Sequence, residues 1–193
     1  LYKAAKLRFD ESEDFKLTSR NNVVKLQSGD EESRKIWNIL CDISRAEFKI
    51  IYDALGVELT EVGESFYNPL IPGTIEELQS LDLCKEDMSE GHEGMLVVQL
   101  PHFTIPLIMR KSDGGYGYDS TDMAALRYRI KEKQCKWVIY ITDAGQGSHF
   151  HMCFDAGKAA GWTKDVRLDH IGFGVVCGED GGKFKTRSGS TVR

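Results

Sequence analysis

Apolar positions recur at three- and four-residue spacings through the first third of the chain. Leu1, Ala4, Ala5 and Leu7 form a short run ending near Phe9, and Asp10 is expected to cap a second helix carrying Phe15, Val23, Val24 and Leu26. Ser28-Gly29-Asp30 breaks that helix and caps a third. In the third, Ile36, Trp37, Leu40, Ile43, Phe48, Ile51 and Leu55 fall largely on one face, and Gly56 supplies the stop. The apolar stripe predicts core packing for this helical segment.

The pattern then changes. Val57 to Val62 alternates in part and is expected as a strand. A helix is predicted after Pro72-Gly73-Thr74 to about Leu81, and a polar loop over 83–94. Met95 to Leu100 and Ile105 to Arg110 read as a hairpin across Pro101-His102. From Lys111 onward strand and helix alternate. Gly114-Gly115-Tyr116-Gly117 is a turn, Ser120 or Thr121 can cap, and a helix from Met123 to about Lys133 follows. Trp137-Val138-Ile139-Tyr140-Ile141 is a compact run suited to a buried parallel strand, with a loop over 142–147 at its carboxyl end. His149 to Ala160 is a helix stopped by Gly161. Leu168 to Val176 is a further strand, broken by Gly172 and Gly174. The fold class is α/β. The expected divisions are 1–56 helical, 57–110 mixed, and 111–193 alternating strand and helix.

Composition narrows the function. The 193 residues are 41% hydrophobic and 28% charged, enough for one sizeable domain or two small ones, and the net charge of −5 removes a global basic field for nucleic acid. Five cysteines without framework or metal-type spacing predict reduced thiols and a cytoplasmic setting. No apolar run is long enough to span a membrane. The chain opens at Leu1 within a helical pattern and stops at Arg193 after a glycine-rich loop, which is expected of a piece of a longer protein.

Two stretches carry chemistry. Tyr118 and Asp122 flank the start of a helix, and a carboxylate beside a phenol there suits a cation. A planar guanidinium fits best, because its N–H fork pairs bidentately. The plainer reading is that Asp122 complements the helix dipole. The second stretch, Glu179 to Gly189, holds Lys183, Lys185 and Arg187 between glycines, a loop able to close on polyphosphate or simply a solvated one. His149, His151 and Cys153 imitate a metal cluster, but on a helix His149 and Cys153 share a face while His151 points elsewhere. Gly172-Phe173-Gly174 and Gly181-Gly182-Lys183 match neither the dinucleotide nor the P-loop spacing.

Taken in order, several stretches resemble the catalytic region of arginyl-tRNA synthetase, a class I enzyme. They are Arg20-Asn21-Asn22-Val23-Val24-Lys25-Leu26-Gln27-Ser28-Gly29-Asp30, Gly63-Glu64-Ser65, Tyr67-Asn68-Pro69, Lys111 to Tyr116, Tyr118 to Ala125, Gln146 with His149, and Phe184-Lys185-Thr186-Arg187-Ser188-Gly189. The resemblance implies that Glu64, Tyr118 and Asp122 face a substrate guanidinium and that Gln146 holds the amino-acid end. It implies that His149 and the strand residues Phe173, Gly174 and Val175 border ATP. It also implies that Lys183, Lys185 and Arg187 belong to a degenerate form of the Lys-Met-Ser-Lys-Ser signature and act on phosphate. Arginine, ATP, with Mg2+ accompanying it, and tRNA(Arg) are the implied substrates. No protein-bound metal site and no membrane are implied, and the parent is expected to be a monomer. The implied architecture is a helical insertion plus the second half of a class I Rossmann-like domain. The His-Ile-Gly-His signature is missing, and His170-Ile171-Gly172-Phe173 only imitates it, so activity is expected of the parent and not of this chain alone. A non-catalytic interaction module derived from a synthetase and an unrelated α/β nucleotide-binding enzyme are the alternatives.

Overall fold

The computed structural model describes residues 2–174 and Cys177. Contacts divide the chain into two units, one within 1–61 and one within 62–175.

The first unit is three helices, α1 (Tyr2–Glu11), α2 (Glu13–Ser28) and α3 (Glu31–Leu55). The cap of α2 is Ser12, whose hydroxyl accepts the Phe15 N–H at 3.2 Å, so α1 runs through Asp10 rather than ending before it. Asp30 caps α3 by accepting the Ser33 N–H at 2.9 Å. Gly29 and Gly56 close α2 and α3 in the left-handed region, at φ 93° and 64°. The apolar stripe of α3 forms, but none of its residues is buried. Core packing is therefore not what the stripe does among the described residues. Residues 57–62 are not a strand. They find no strand to pair with, and Glu61 instead takes a two-oxygen bond from Arg45 Nε at 2.8 and 2.9 Å.

The second unit is built around one helix. α4 (Ile71–Ser80) buries Ile71, Thr74, Ile75 and Leu78, one face at helical spacing. It starts at Ile71, with Pro72 inside its first turn, where the missing N–H costs nothing. β1 (Cys84–Glu86), β2 (Leu96–Val98) and β3 (Leu107–Arg110) form an antiparallel sheet in that order. The hairpin is as expected. β1 lies in the segment read as a loop, because only Cys84 of its three residues is buried and no alternation is visible. α5 (Tyr118–Arg127) then packs on α4, on β3 and on α6 (Gly147–Ala159), and buries Met123, Ala124, Ala125 and Leu126. Leu78, Leu107, Met109, Met123 and Leu126 are all fully buried in one core. Each such side chain contributes about 1.5–3 kcal/mol by leaving water.

α5 begins at Tyr118 and not at Met123. Ser120 turns back on Gly117, its hydroxyl accepting the Gly117 N–H at 3.0 Å. A π turn over Tyr128–Glu132 follows the helix. β4 (Trp137–Asp143) and β5 (Arg167–Phe173) pair in parallel, Tyr140 opposite His170 and Ile141 opposite Ile171. Gly172 lies inside β5 and does not break it. The apolar run of β4 is buried on one side only. Val138 and Tyr140 are buried, Tyr140 against Phe150 and Phe154 of α6, while Trp137, Ile139 and Ile141 are exposed.

Candidate functional site

The site is assembled from the amino-terminal turns of α5 and α6. Because α5 begins at Tyr118, Asp119 and Asp122 stand three residues apart, on one face and one turn from each other. Asp119 does two things. Its Oδ2 accepts the Ile108 N–H at 2.6 Å, pinning α5 to β3, and its Oδ1 lies 3.4 Å from His149 Nδ1. Asp122 Oδ2 lies 2.7 Å from His149 Nε2. His149 thus comes across from the first turn of α6 and sits between two carboxylates. Cys153, one turn further on, brings Sγ to 3.7 Å from the same Nε2. All three charged groups are about one-quarter exposed, Asp122 the most at 29%.

The imidazole is held protonated. Hydrogen bonds to Asp119 and Asp122, with a smaller one to Cys153, outweigh burial and push its pKa up from 6.5 to about 12. Burial pushes the Cys153 thiol above its usual range, against the opposing pull of His149. The edge of His149 meets the Phe150 ring, which stacks on His170 at 5.3 Å, and His170 Nε2 pairs with Thr142 Oγ1 at 2.8 Å. This chain of contacts ties the end of β4 to both helices.

The helices approach closely because Gly157 lacks a side chain. A Cβ there would stand 2.9 Å from Leu126 Cδ2. Gln146 is the last residue of a short 3-10 turn, Ala144–Gln146, that leads from β4 into α6, and it is exposed. Tyr118 opens α5 and is 76% exposed. Glu64 starts another 3-10 turn, Glu64–Phe66, and is exposed. Phe66 and Tyr67 after it pack on Tyr128, which lies about 9 Å further along the helix axis from Asp122. Among the described residues the side chains of Glu64, Tyr118 and Gln146 bond no other member of the expected set. Asp122 and His149 are the pair brought together.

His149, expected beside a nucleotide, is engaged by the carboxylate assigned to arginine. Phe173 and Gly174 lie at the carboxyl end of β5, exposed. Val175, Lys183, Lys185 and Arg187 lie outside the described residues. The expected site set did not include Asp119. Its signal was the three-residue spacing from Asp122, hidden by a helix start set too late. It also did not include Arg129, whose guanidinium lies between Tyr67 and Tyr140, 5.7 and 5.0 Å from their ring centroids.

A carboxylate pair on α5 is thus met by a histidine from the first turn of α6, between the parallel strands β4 and β5. The chain belongs to the family described as tRNA synthetases class I (R), catalytic domain, which matches residues 1–193. The curated relatives carry the name arginine–tRNA ligase. That of Nostoc punctiforme is 51% identical over 199 residues, covering 100% of this chain and 33% of its own length. The chloroplastic/mitochondrial arginine–tRNA ligase of Arabidopsis thaliana is 50% identical, covering 100% of this chain and 30% of its own. The chain therefore spans about a third of the length of the curated relatives it matches. Among solved structures it is similar to arginyl-tRNA synthetase from Plasmodium falciparum, with a TM-score of 0.75 and 38% identity over 87% of this chain and 31% of that one.

Proposed function

We propose that this chain is the arginine-selecting part of an arginine–tRNA ligase, working within a longer enzyme. The observation that carries the reading is Asp122. It is a carboxylate in the first turns of α5, held in place by His149 and still partly open to solvent. Such a group recognises a cation, and the family makes arginine the cation. Arginine keeps its charge at any working pH, so selection falls to oriented carboxylates and to the planar fork that lysine lacks.

In this reading Asp122 and Tyr118 meet the guanidinium from one helix end and Glu64 from the turn anchored on Tyr128. Gln146 holds the amino-acid end of the substrate. The arginine carboxylate then attacks the α-phosphate of ATP, forming a C–O–P bond to the adenylate while pyrophosphate leaves. The arginyl group passes next to the 3′ end of tRNA(Arg). No side-chain nucleophile is needed, and the work is orientation and charge stabilisation. Lys183, Lys185 and Arg187 are assigned to the phosphates. Mg2+ would arrive on ATP and is given no ligand here. The β4–α6–β5 unit is read as the second half of a class I Rossmann-like domain, with ATP beside the carboxyl end of β5 near Phe173, Gly174 and Val175. A cytoplasmic setting, expected from five cysteines without framework spacing, is part of this reading.

The test is Asp122→Asn in the full-length enzyme carrying this chain, measured by tRNA-dependent pyrophosphate exchange. The expected loss in kcat/KM for arginine is about 2–3 kcal/mol, because a charged substrate group is left without its paired partner. An unchanged value would overturn the assignment.

A further inference from the structure

We propose that His149 is a positioning residue for arginine selection: clamped between Asp119 and Asp122, its imidazole takes Asp122 Oδ2 and leaves Oδ1 for the substrate. The inference rests on the reading of Asp122 as a guanidinium ligand and adds a second group to it.

The geometry supplies three arguments. First, Oδ2 is already engaged, 2.7 Å from His149 Nε2. A guanidinium fork needs two acceptors, so it takes one oxygen from Asp122 and the other from a second group. That makes recognition depend on a composite surface rather than on one carboxylate. Second, Asp119 is fixed before His149 is considered, because its other oxygen accepts the Ile108 N–H of β3. His149 is thereby anchored to the sheet, and it passes that order to Asp122. Third, two carboxylates and one imidazolium leave a single negative charge, which matches one guanidinium. Without the imidazolium, two like charges one turn apart would repel each other, with nothing between them to hold Asp122 in place.

The groups around His149 are accounted for on every packed element. Asp119 and Asp122 come from α5 and Cys153 from α6. Tyr140 comes from β4, its hydroxyl pushed up to about 12 by burial against the opposing pull of Arg129. His170 comes from β5, separated from His149 by the Phe150 ring. Only Asp119 and Asp122 carry a negative charge against the imidazole at neutral pH.

The experiment uses the full-length enzyme carrying this chain, with His149→Gln, which keeps a donor and removes the charge, and His149→Phe, which removes both. His151→Gln, the same chemical change on the exposed face of α6, is the control. His149→Gln should raise the arginine KM about tenfold and leave the ATP KM within about twofold. His149→Phe should exceed it on arginine, and His151→Gln should change neither. An effect confined to the ATP KM, or an unchanged arginine KM, would overturn the inference. Asp122→Asn separates the two levels. If it leaves arginine use intact, the underlying reading falls and this one with it. If it raises the arginine KM while His149→Gln does not, only the present inference falls. Histidine 15N shifts on the 193-residue chain give a readout without turnover. Both His149 nitrogens should be protonated at pH 8 and Nε2 should shift in Asp122→Asn; a neutral ring at pH 8 would overturn the clamp.

Discussion

Gly172 of β5 passes Ala144, the residue just after β4, so closely that a Cβ on it would stand 2.8 Å from the Ala144 Cα. The atom met is backbone, so it cannot swing aside. The 3-10 turn that begins at Ala144 ends at Gln146, the residue assigned to the amino-acid end of arginine.

Gly172→Ala should therefore lift that turn. The expected cost is about 1–3 kcal/mol of stability, the range for adding a methyl group to a filled space. Urea unfolding of the chain measures it. A midpoint equal to wild type would mean that the turn yields without strain.

Glu77 gathers three donors, the Arg127 guanidinium and the Trp162 indole at 2.7 Å and the Lys131 ammonium. Burial pushes its carboxyl up, but hydrogen bonds from Lys131, Arg127 and Trp162 outweigh this and hold it at about 2, below its ordinary 4.5. A depressed carboxylate stabilises the fold above its unfolded pKa and loses that contribution as pH falls through the folded one. Stability should thus drop between about pH 4.5 and 2, by about 1–2 kcal/mol once solvent screening is allowed for. Thermal melts across this window should show a slope in the wild type that Glu77→Gln reduces. An equal slope in both would assign the acid sensitivity to other carboxylates.

Arg129 lies between the Tyr67 and Tyr140 rings and donates from Nη2 to the Tyr67 hydroxyl at 3.4 Å. Tyr67 in turn packs against Phe66, beside Glu64. Arg129→Ala should cost about 2–3 kcal/mol through lost stacking and packing, and Arg129→Lys about half of that, since a cation without a planar face recovers only part. Chemical denaturation orders the variants. If lysine were as harmful as alanine, charge over the rings would contribute nothing.

β4 and β5 carry Ile139, Ile141, Ile171 and Phe173 on one exposed side, Ile141 at 66%. An apolar face of this kind makes the isolated 193-residue chain prone to self-association. Sedimentation should show concentration-dependent species that Ile141→Lys with Ile171→Glu suppresses. A monomeric wild type at high concentration would oppose this.

The helical first third, the hairpin and the parallel pair were legible in the sequence because each rests on local rules. Three- and four-residue spacing, Asp30 as a cap, Gly29 and Gly56 as stops, and the apolar runs of β2, β3 and β4 act within a few residues of themselves. The family was legible for a different reason: separate short motifs in one order are specific even where each alone is weak. The start of α5 was misjudged because Ser120 caps backwards onto Gly117, a bond that the residue order does not announce. β1 was missed because a strand with one buried residue has no pattern, and residues 57–62 were overcalled because alternation without a partner strand does not pair. The stripe of α3 has helical spacing whether or not anything covers it, so spacing could not say that it would be exposed here. Tertiary structure alone decided that His149 meets Asp122 across 27 residues, that Asp119 joins them, and that Gly157 and Gly172 allow the close approaches. These depend on how α5, α6 and the strands pack in three dimensions, and a side chain's partner across such a contact is set by distances that no local pattern encodes.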